Sequence, residues 1–368
     1  MNPIRVGLIG ASPDRGWAAT AHIPALKALP DFELAAISTT KQESADAVAQ
    51  KHGIPHAFAD WQQMVCRPDV DLVIVTVKVA AHRDAVLGAL AAGKHVFCEW
   101  PLARDTAEAE EMLAAAQRAG VQHMEGLQGR HHPVLNRVRD GYIGRLLSCT
   151  LVSSLATWGP RLAPADAYLA DRAGGATGLT IPGGHSLDTL CACVGRFRDL
   201  AAVLSTQHPQ AEIIGTGHAI PVTSPDQVLI SGTLEGGAVV GIHIKADMAV
   251  PLGVRLEVNG SEGDLVLRSE IAPGGPSVGI QRAELVLTSA RRNAPEWVTL
   301  DVPSRYSRVP TGVPRGAQFY TAQLLVRLAE AIRTGTKATP DFADAVACHR
   351  MLDLVQAASD TGHRVSIA

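Results

Sequence analysis

The stretch that most restricts how this chain can fold is its opening. Val6-Gly7-Leu8-Ile9-Gly10 is followed by Ala11-Ser12-Pro13-Asp14-Arg15-Gly16-Trp17 and an Ala-rich run from Ala18. A strand, a glycine-bearing turn and a helix start, in that order, cradle a dinucleotide pyrophosphate, because backbone amides and the positive end of the helix dipole both face the phosphates. The glycines Gly7, Gly10 and Gly16 do not keep the strict G-x-G-x-x-G spacing. Alone, the motif also fits an ordinary turn of an α/β domain. Its context adds weight. Strand patterns at Arg5–Ile9, Phe32–Ser38, Leu72–Val77, His95–Glu99 and Gln122–Leu127 alternate with helical patterns at Ala18–Ala28, Gln42–His52, His82–Ala92 and Ala107–Ala119. Such alternation builds a parallel sheet with helices on both faces. The run Val70–Val75 is almost continuously apolar, as a strand buried on both faces must be.

From Gln128 the texture changes. A helix is expected near Pro133–Asp140, then the turn Gly141-Tyr142-Ile143-Gly144. Longer alternating strands follow at Leu146–Ala156, Ala201–Gln207, Gln227–Leu234, Ala238–Lys245, Arg255–Asn259, Asp264–Leu267 and Ala283–Leu287. They predict an open, mostly antiparallel sheet. A helix is expected over Gly184–Cys193, a loop-rich stretch over Gly274–Arg315, and two closing helices over Ala317–Thr334 and Phe342–Thr361. The expected architecture is therefore α/β: a Rossmann doubly wound sheet in residues 1–127 and an α+β domain in residues 128–368.

Composition excludes several classes. The net charge is -3 and no basic run appears, so nucleic acid and anionic membranes are not expected partners. No stretch approaches the ~18 apolar residues of a membrane span. A strand pattern begins at Ile4 with no signal-like segment before it, so a cytoplasmic location is expected. The six cysteines are scattered. Cys191 and Cys193 have no second pair at zinc spacing, and His131-His132 lacks a carboxylate partner, so no metal site is expected.

In the opening turn, Gly10, Ala11, Ser12, Gly16 and Trp17 are the expected cofactor contacts, with Arg15 as a direct phosphate partner. The second strand ends at Ser38-Thr39-Thr40-Lys41, where an NAD site usually has an acid for the ribose hydroxyls. Hydroxyls and a lysine suit a 2′-phosphate, so the cofactor is read as NAD(P) with a lean to NADP. Small hydroxyl residues also admit NAD, and Lys41 also fits a solvated helix start.

Taken together, VGLIG, VTVKVAAH, AAGKHVFCEWPLA, GYIGRL, GGHSLDTL, NGSEGDLVL and the closing helices resemble the Gfo/Idh/MocA family of glucose–fructose oxidoreductase, inositol dehydrogenase and rhizopine-catabolism proteins. GASPDRGWAA, EWPLA and LQGRHHP look most like the subgroup containing the fungal galactose-pathway repressor. The resemblance implies cofactor contacts at Val77, His82, Glu99, Trp100, Pro101 and Gln128. It also implies a homodimer or homotetramer formed through the open sheet, and a small-molecule substrate. The family's Glu-Lys-Pro lysine is Trp100 here, which stacks by the nicotinamide or simply packs. The family histidine maps onto His185, but the aspartate four residues before it is Ile181. His185 is the expected acid/base, with Asp188 one helical turn on to orient it or to cap and pack. Lys78 is a candidate for the missing lysine's work, or a cofactor or surface lysine. Trp100, Arg130, Trp158, Arg161 and Tyr168 are candidate substrate contacts, since aromatic faces pack on sugar C–H surfaces and Arg binds oxygens.

Three functions compete on this reading. The first is hydride transfer between nicotinamide and a sugar, cyclic polyol or related compound. The second is a cofactor-binding sensor without turnover. The third is a redox-neutral cleavage of a glycosidic bond through transient oxidation.

Overall fold

A computed structural model describes residues 2–270 and 279–367. Of the expected loop-rich stretch 274–315, residues 274–278 lie outside the described residues. By packing, the chain forms two compact units: Met1–Gln128 with Arg308–Ala347, and Gly129–Ser307 with Cys348–Ala368. Residues 308–347, placed after the division at 127/128 in the sequence, thus pack with the first unit.

The strands of the first unit are β1 (Ile4–Ile9), β2 (Phe32–Ser38), β3 (His56–Phe58), β4 (Leu72–Val75), β5 (His95–Cys98) and β6 (His123–Glu125). They pair in parallel in the order β3-β2-β1-β4-β5-β6. This is the Rossmann order, with the strand sequence reversing direction beside β1. All of β4 is buried, which explains its unbroken apolar sequence. The helix Thr106–Ala119 begins where the Asp105 carboxylate accepts from the Glu108 amide at 2.9 Å, and it ends at Gly120. The returning helix Ala317–Thr334 places Phe319, Tyr320, Leu324, Leu325 and Leu328 in the same core as Val6, Leu8, Ile23 and Leu26.

The second unit contains β7 (Leu146–Ser154), β8 (Arg161–Leu162), β9 (Phe197–Ser205), β10 (Gln210–Ile213), β11 (His218–Pro221), β12 (Gln227–Leu234), β13 (Val239–Lys245), β14 (Gly253–Gly260), β15 (Gly263–Ser269), β16 (Leu285–Arg291), β17 (Ala294–Thr299) and β18 (Val365–Ser366). A nine-stranded sheet runs β17-β16-β15-β14-β7-β13-β12-β9-β18. Its pairs are antiparallel except β7 with β13. In β12, Val228, Ile230 and Leu234 are buried while Leu229 and Ser231 are exposed, so one face is covered and one is open. The helix Gly184–Val194 packs on β7. A small sheet, β11-β10-β8, closes over Leu162, Ala170, Ala211 and Ile213.

Candidate functional site

In the first unit, the turn after β1 has spare hydrogen-bond donors. Gly10 donates to the Ser38 carbonyl at 2.9 Å, which fixes the end of β1 against the end of β2. Its φ is +93°, and a Cβ there would lie 2.6 Å from Val77 Cγ1 and 2.9 Å from the Val77 nitrogen, so only glycine fits. The Thr76 hydroxyl holds the same turn from the end of β4, lying against the carbonyls of Ile9, at 3.0 Å, and Gly10. After this turn the amides of Ala11, Ser12, Asp14, Arg15 and Gly16 donate no hydrogen bond within the described protein. They precede a wide helical turn, Ala18–His22, in which the Ile23 amide reaches the Ala18 carbonyl five residues back. Unused amides at a helix start, outside the carboxyl ends of parallel strands, fit a pyrophosphate. Arg15 and Gly16 are exposed there.

At the end of β2 the four expected contacts divide. Ser38 is buried, and the Thr39 hydroxyl is occupied by the Lys41 carbonyl at 2.8 Å. Thr40 and Lys41 are exposed. These two are the groups available to a ribose or its phosphate.

The other strand ends are braced by polar contacts. Glu99 carries His22 Nε2 at 2.5 Å on one carboxylate oxygen and accepts from Gln128 Nε2 at 3.0 Å on the other. A Cβ on Gly126 would lie 2.4 Å from Glu99 Oε2, so a glycine there makes room for the carboxylate. Both Glu99 and Gln128, expected to touch the cofactor, are thus engaged with protein; Gln128 Oε1 is buried and has no partner. His82, also expected at the cofactor, is fully enclosed. Its Nδ1 meets the Pro101 carbonyl at 2.9 Å and its Nε2 the Val77 carbonyl at 3.0 Å, and burial lowers its pKa. It ties the end of β4 to the segment after β5. The Trp100–Pro101 peptide is cis, and Trp100 is only 5% exposed. Lys78 is exposed just beyond β4.

In the second unit, a second wide turn, Leu179–Gly183, leads into the helix that begins at Gly184. It carries His185 at the first turn of that helix, 5% exposed, with Nδ1 buried and unpartnered. Burial first, and then the charge of Arg282, pull its pKa down from 6.5 to about 3. The ring is therefore neutral at physiological pH, rather than titrating near neutrality as the residue type alone suggests. Arg282 escaped sequence reasoning because it falls in the stretch read as loop.

Asp188 is paired with Arg130. Its carboxylate takes Arg130 Nε at 2.9 and 3.0 Å and Arg130 Nη2 at 2.6 Å, a two-pronged ion pair. Helical spacing put Asp188 and His185 on one face, but the planar guanidinium competes better for the carboxylate. Arg130, expected on the substrate, is correspondingly engaged with Asp188. Arg161 lies exposed on the small sheet, 3.8 Å from Glu212, and Tyr168 sits in the turn beside it, its pKa raised by burial and Asp166. Trp158 is half-buried, with a positive φ of 58°. His132 is buried, and its Nδ1 accepts from the Val134 amide at 3.2 Å as a helix cap. The thiols of Cys149 and Cys191 are pushed up to about 12, and that of Cys193 to about 11, by burial. No group of three or more His, Cys, Asp or Glu among the described residues can hold a metal ion.

A Rossmann sheet with a dinucleotide turn, joined in one chain to an open-sheet α+β unit, defines a nicotinamide-type oxidoreductase architecture. Residues 4–127 match the model of the oxidoreductase family with an NAD-binding Rossmann fold, GFO_IDH_MocA, and residues 134–269 match the Gal80p C-terminal domain. The chain belongs to the Gfo/Idh/MocA oxidoreductase family. Dehydrogenase aclE of Aspergillus oryzae is 31% identical over 245 residues, 63% of this chain and 67% of that protein. The galactose/lactose metabolism regulatory protein GAL80 of Saccharomyces cerevisiae is 28% identical over 292 residues, 73% of this chain and 67% of that protein. Levoglucosan dehydrogenase of Pseudarthrobacter phenanthrenivorans is 28% identical over 297 residues, 73% of this chain and 75% of that protein. In fold, a super-repressor mutant of Gal80p superposes with a TM-score of 0.86 at 23% identity, covering 100% of this chain and 99% of that one. Levoglucosan dehydrogenase in complex with NADH gives 0.86 at 22% identity, covering 100% of both chains. At these identities the superpositions show the fold alone. No helix among the described residues is long and apolar enough to cross a membrane.

Proposed function

We propose that this chain is an NAD(P)-dependent oxidoreductase that moves a hydride between nicotinamide and a CH–OH group of a sugar, cyclic polyol or related hydroxy/oxo compound. The observation that carries the reading is the turn after β1, with its row of unused amides at a helix start. The dinucleotide supplies the hydride acceptor or donor when bound. Relatives named as dehydrogenases, one for levoglucosan, support the substrate class. Exposed Thr40 and Lys41, standing at the strand end where an NAD site usually has an acid, support NADP over NAD.

His185 handles the proton. In the oxidation direction its neutral ring takes the hydroxyl proton as hydride leaves; in reduction it returns it. A pKa of about 3 makes it a weak base. Such a base suits a lactol or hemiacetal, whose hydroxyl is more acidic than an ordinary alcohol's. Lys78 assists as a donor in place of the family lysine, and Trp100 walls off water. Trp158 and Tyr168 face the sugar, while Arg130 positions the helix of His185 through Asp188. The protein works in the cytoplasm as a homodimer or homotetramer, for which the open sheet face, with exposed Val203 paired to Leu229, offers an apolar surface. His185→Ala should abolish turnover and leave dinucleotide affinity unchanged; a variant with full rate would remove His185 from the mechanism.

A second reading, a dinucleotide-binding regulator without turnover, is favoured by Trp100 and Ile181 standing where the family keeps its lysine and aspartate, and by the likeness to GAL80.

A further inference from the structure

A cavity of about 700 Å³ opens in the first unit, at the end of the parallel sheet away from the glycine turn. The turn follows the carboxyl end of β1. The cavity is lined by Ile4 and Arg5 at the amino end of that strand, by Glu33 of β2, and by Asp71 and His95 where β4 and β5 begin. With six residues in β1, the two places lie roughly 20 Å apart. The volume is that of a small-molecule site. The side chains of Arg5 and Asp71 are 38% and 36% exposed, so the polar lining is open to solvent.

Two of the lining groups are unused donors. Arg5 is clamped in place: its Nε donates to Asp71 Oδ2 at 2.9 Å, and its Nη2 to Asp71 Oδ1 at 2.7 Å and to the Pro68 carbonyl at 2.9 Å. These bonds fix the guanidinium plane and leave Nη1 without a hydrogen bond among the described residues. His95 Nδ1 accepts from the Gln122 amide at 3.0 Å. The neutral ring therefore carries its proton on Nε2, which makes no hydrogen bond among the described residues. Burial lowers the pKa of this ring against the pull of Asp71, so it is neutral at physiological pH. The third group is an acceptor. Glu33 is exposed, and its carboxylate accepts no hydrogen bond among the described residues. The wall beside these groups is apolar, made by Pro3, Ile4 and Ile332.

We propose that this cavity binds a free α-amino acid with an apolar side chain. The ligand carboxylate takes the donors of Arg5 and His95, its ammonium meets Glu33, and its side chain lies on the apolar wall. Other ligand classes leave groups unanswered. A metal ion needs lone pairs, but His95 Nε2 holds a proton and both Asp71 oxygens are taken by Arg5. An anion alone would meet the charge of Glu33. A cation alone would leave two N–H donors unused. A dipolar ligand answers all three groups, with charged partners on each side. None of these residues belongs to the candidate site around the glycine turn and His185, so the proposal stands apart from hydride transfer.

The test is equilibrium dialysis of the full chain with L-leucine and L-phenylalanine. They are set against 4-methylpentanoate, which lacks the ammonium, and L-leucinamide, which lacks the carboxylate. The variants are Glu33→Gln, a change on an exposed side chain, and His95→Asn, which removes the Nε2 donor. The expected result is binding of both amino acids, with each leucine fragment bound about tenfold more weakly or worse. Leucine affinity should fall about tenfold in each variant, as the loss of a hydrogen bond to a charged group implies. If His95→Asn fails to fold by circular dichroism, Glu33→Gln decides alone. Three results would overturn the proposal: no binding of either amino acid, a fragment binding as tightly as leucine, or unchanged leucine affinity in Glu33→Gln, which would place any bound amino acid elsewhere.

Discussion

Asp188→Asn separates two roles for the helix that carries His185. The wild-type carboxylate is buried, its side chain 3% exposed, and it holds a guanidinium that is 25% exposed. Breaking a fully buried ion pair costs about 3–5 kcal/mol, mostly because the surviving charge is left unpaired. Here water reaches a quarter of Arg130, which returns part of that penalty. Only one charge is removed, and the amide still accepts one bond, so the loss should be about 2–3 kcal/mol. Urea unfolding followed by circular dichroism reads it as a lower midpoint. The second readout is the pH profile of turnover. Because Asp188 bonds Arg130 and not the His185 ring, the variant should lose stability while the profile stays where it is. A shifted profile with stability intact would refute the assignment and restore Asp188 as the group that orients His185.

Other consequences are as direct. Gly10→Ala should abolish dinucleotide binding by titration, since the new methyl would sit on Val77 in a backbone region closed to alanine; binding within twofold of wild type, about 0.4 kcal/mol, would show the turn is not the cradle. Lys41→Glu should move cofactor preference from NADP toward NAD in the ratio of kcat/KM values, and an unchanged ratio would place the 2′-phosphate elsewhere. His185 also links stability to pH. Its folded pKa of about 3 lies below the unfolded 6.5, so between those values the unfolded chain binds a proton that the folded chain refuses. Stability should therefore fall with falling pH in that window, by up to about 1.4 kcal/mol per pH unit from this group. His185→Gln should flatten the slope of unfolding free energy between pH 6 and pH 4, and an unflattened slope would mean the ring protonates in the fold.

Strand β2 and the helices Gln42–His52, Ala317–Thr334 and Phe342–Thr361 have the ends their sequence patterns indicate, because long apolar runs and glycine stops mark them. What escaped is short or lacks contrast. β3 has three residues, and β17 is exposed along its whole length, so neither shows alternation to read. The return of residues 308–347 to the first unit is a long-range choice that no local pattern records. At the candidate site, motifs mark the glycine turn and His185 in the sequence, because the chemistry proposed for them depends on backbone and position. Protein partners that lie far along the chain leave no mark in it. Glu99 finds His22 77 residues away, and Arg130 finds Asp188 58 residues away. Arg282 carries no motif at all, and only its charge acting on His185 brings it to notice.

The central claim is that this chain turns over a nicotinamide cofactor, and it is tested most directly by following reduced-nicotinamide absorbance with NAD+ and NADP+ separately across sugars, inositols, sugar acids and glycosides. Steady growth of the signal with a neutral sugar or polyol, faster with NADP+, is the expected result. A protein that binds the dinucleotide by titration yet neither reduces it nor consumes any member of the panel would contradict it and leave the regulator reading in its place.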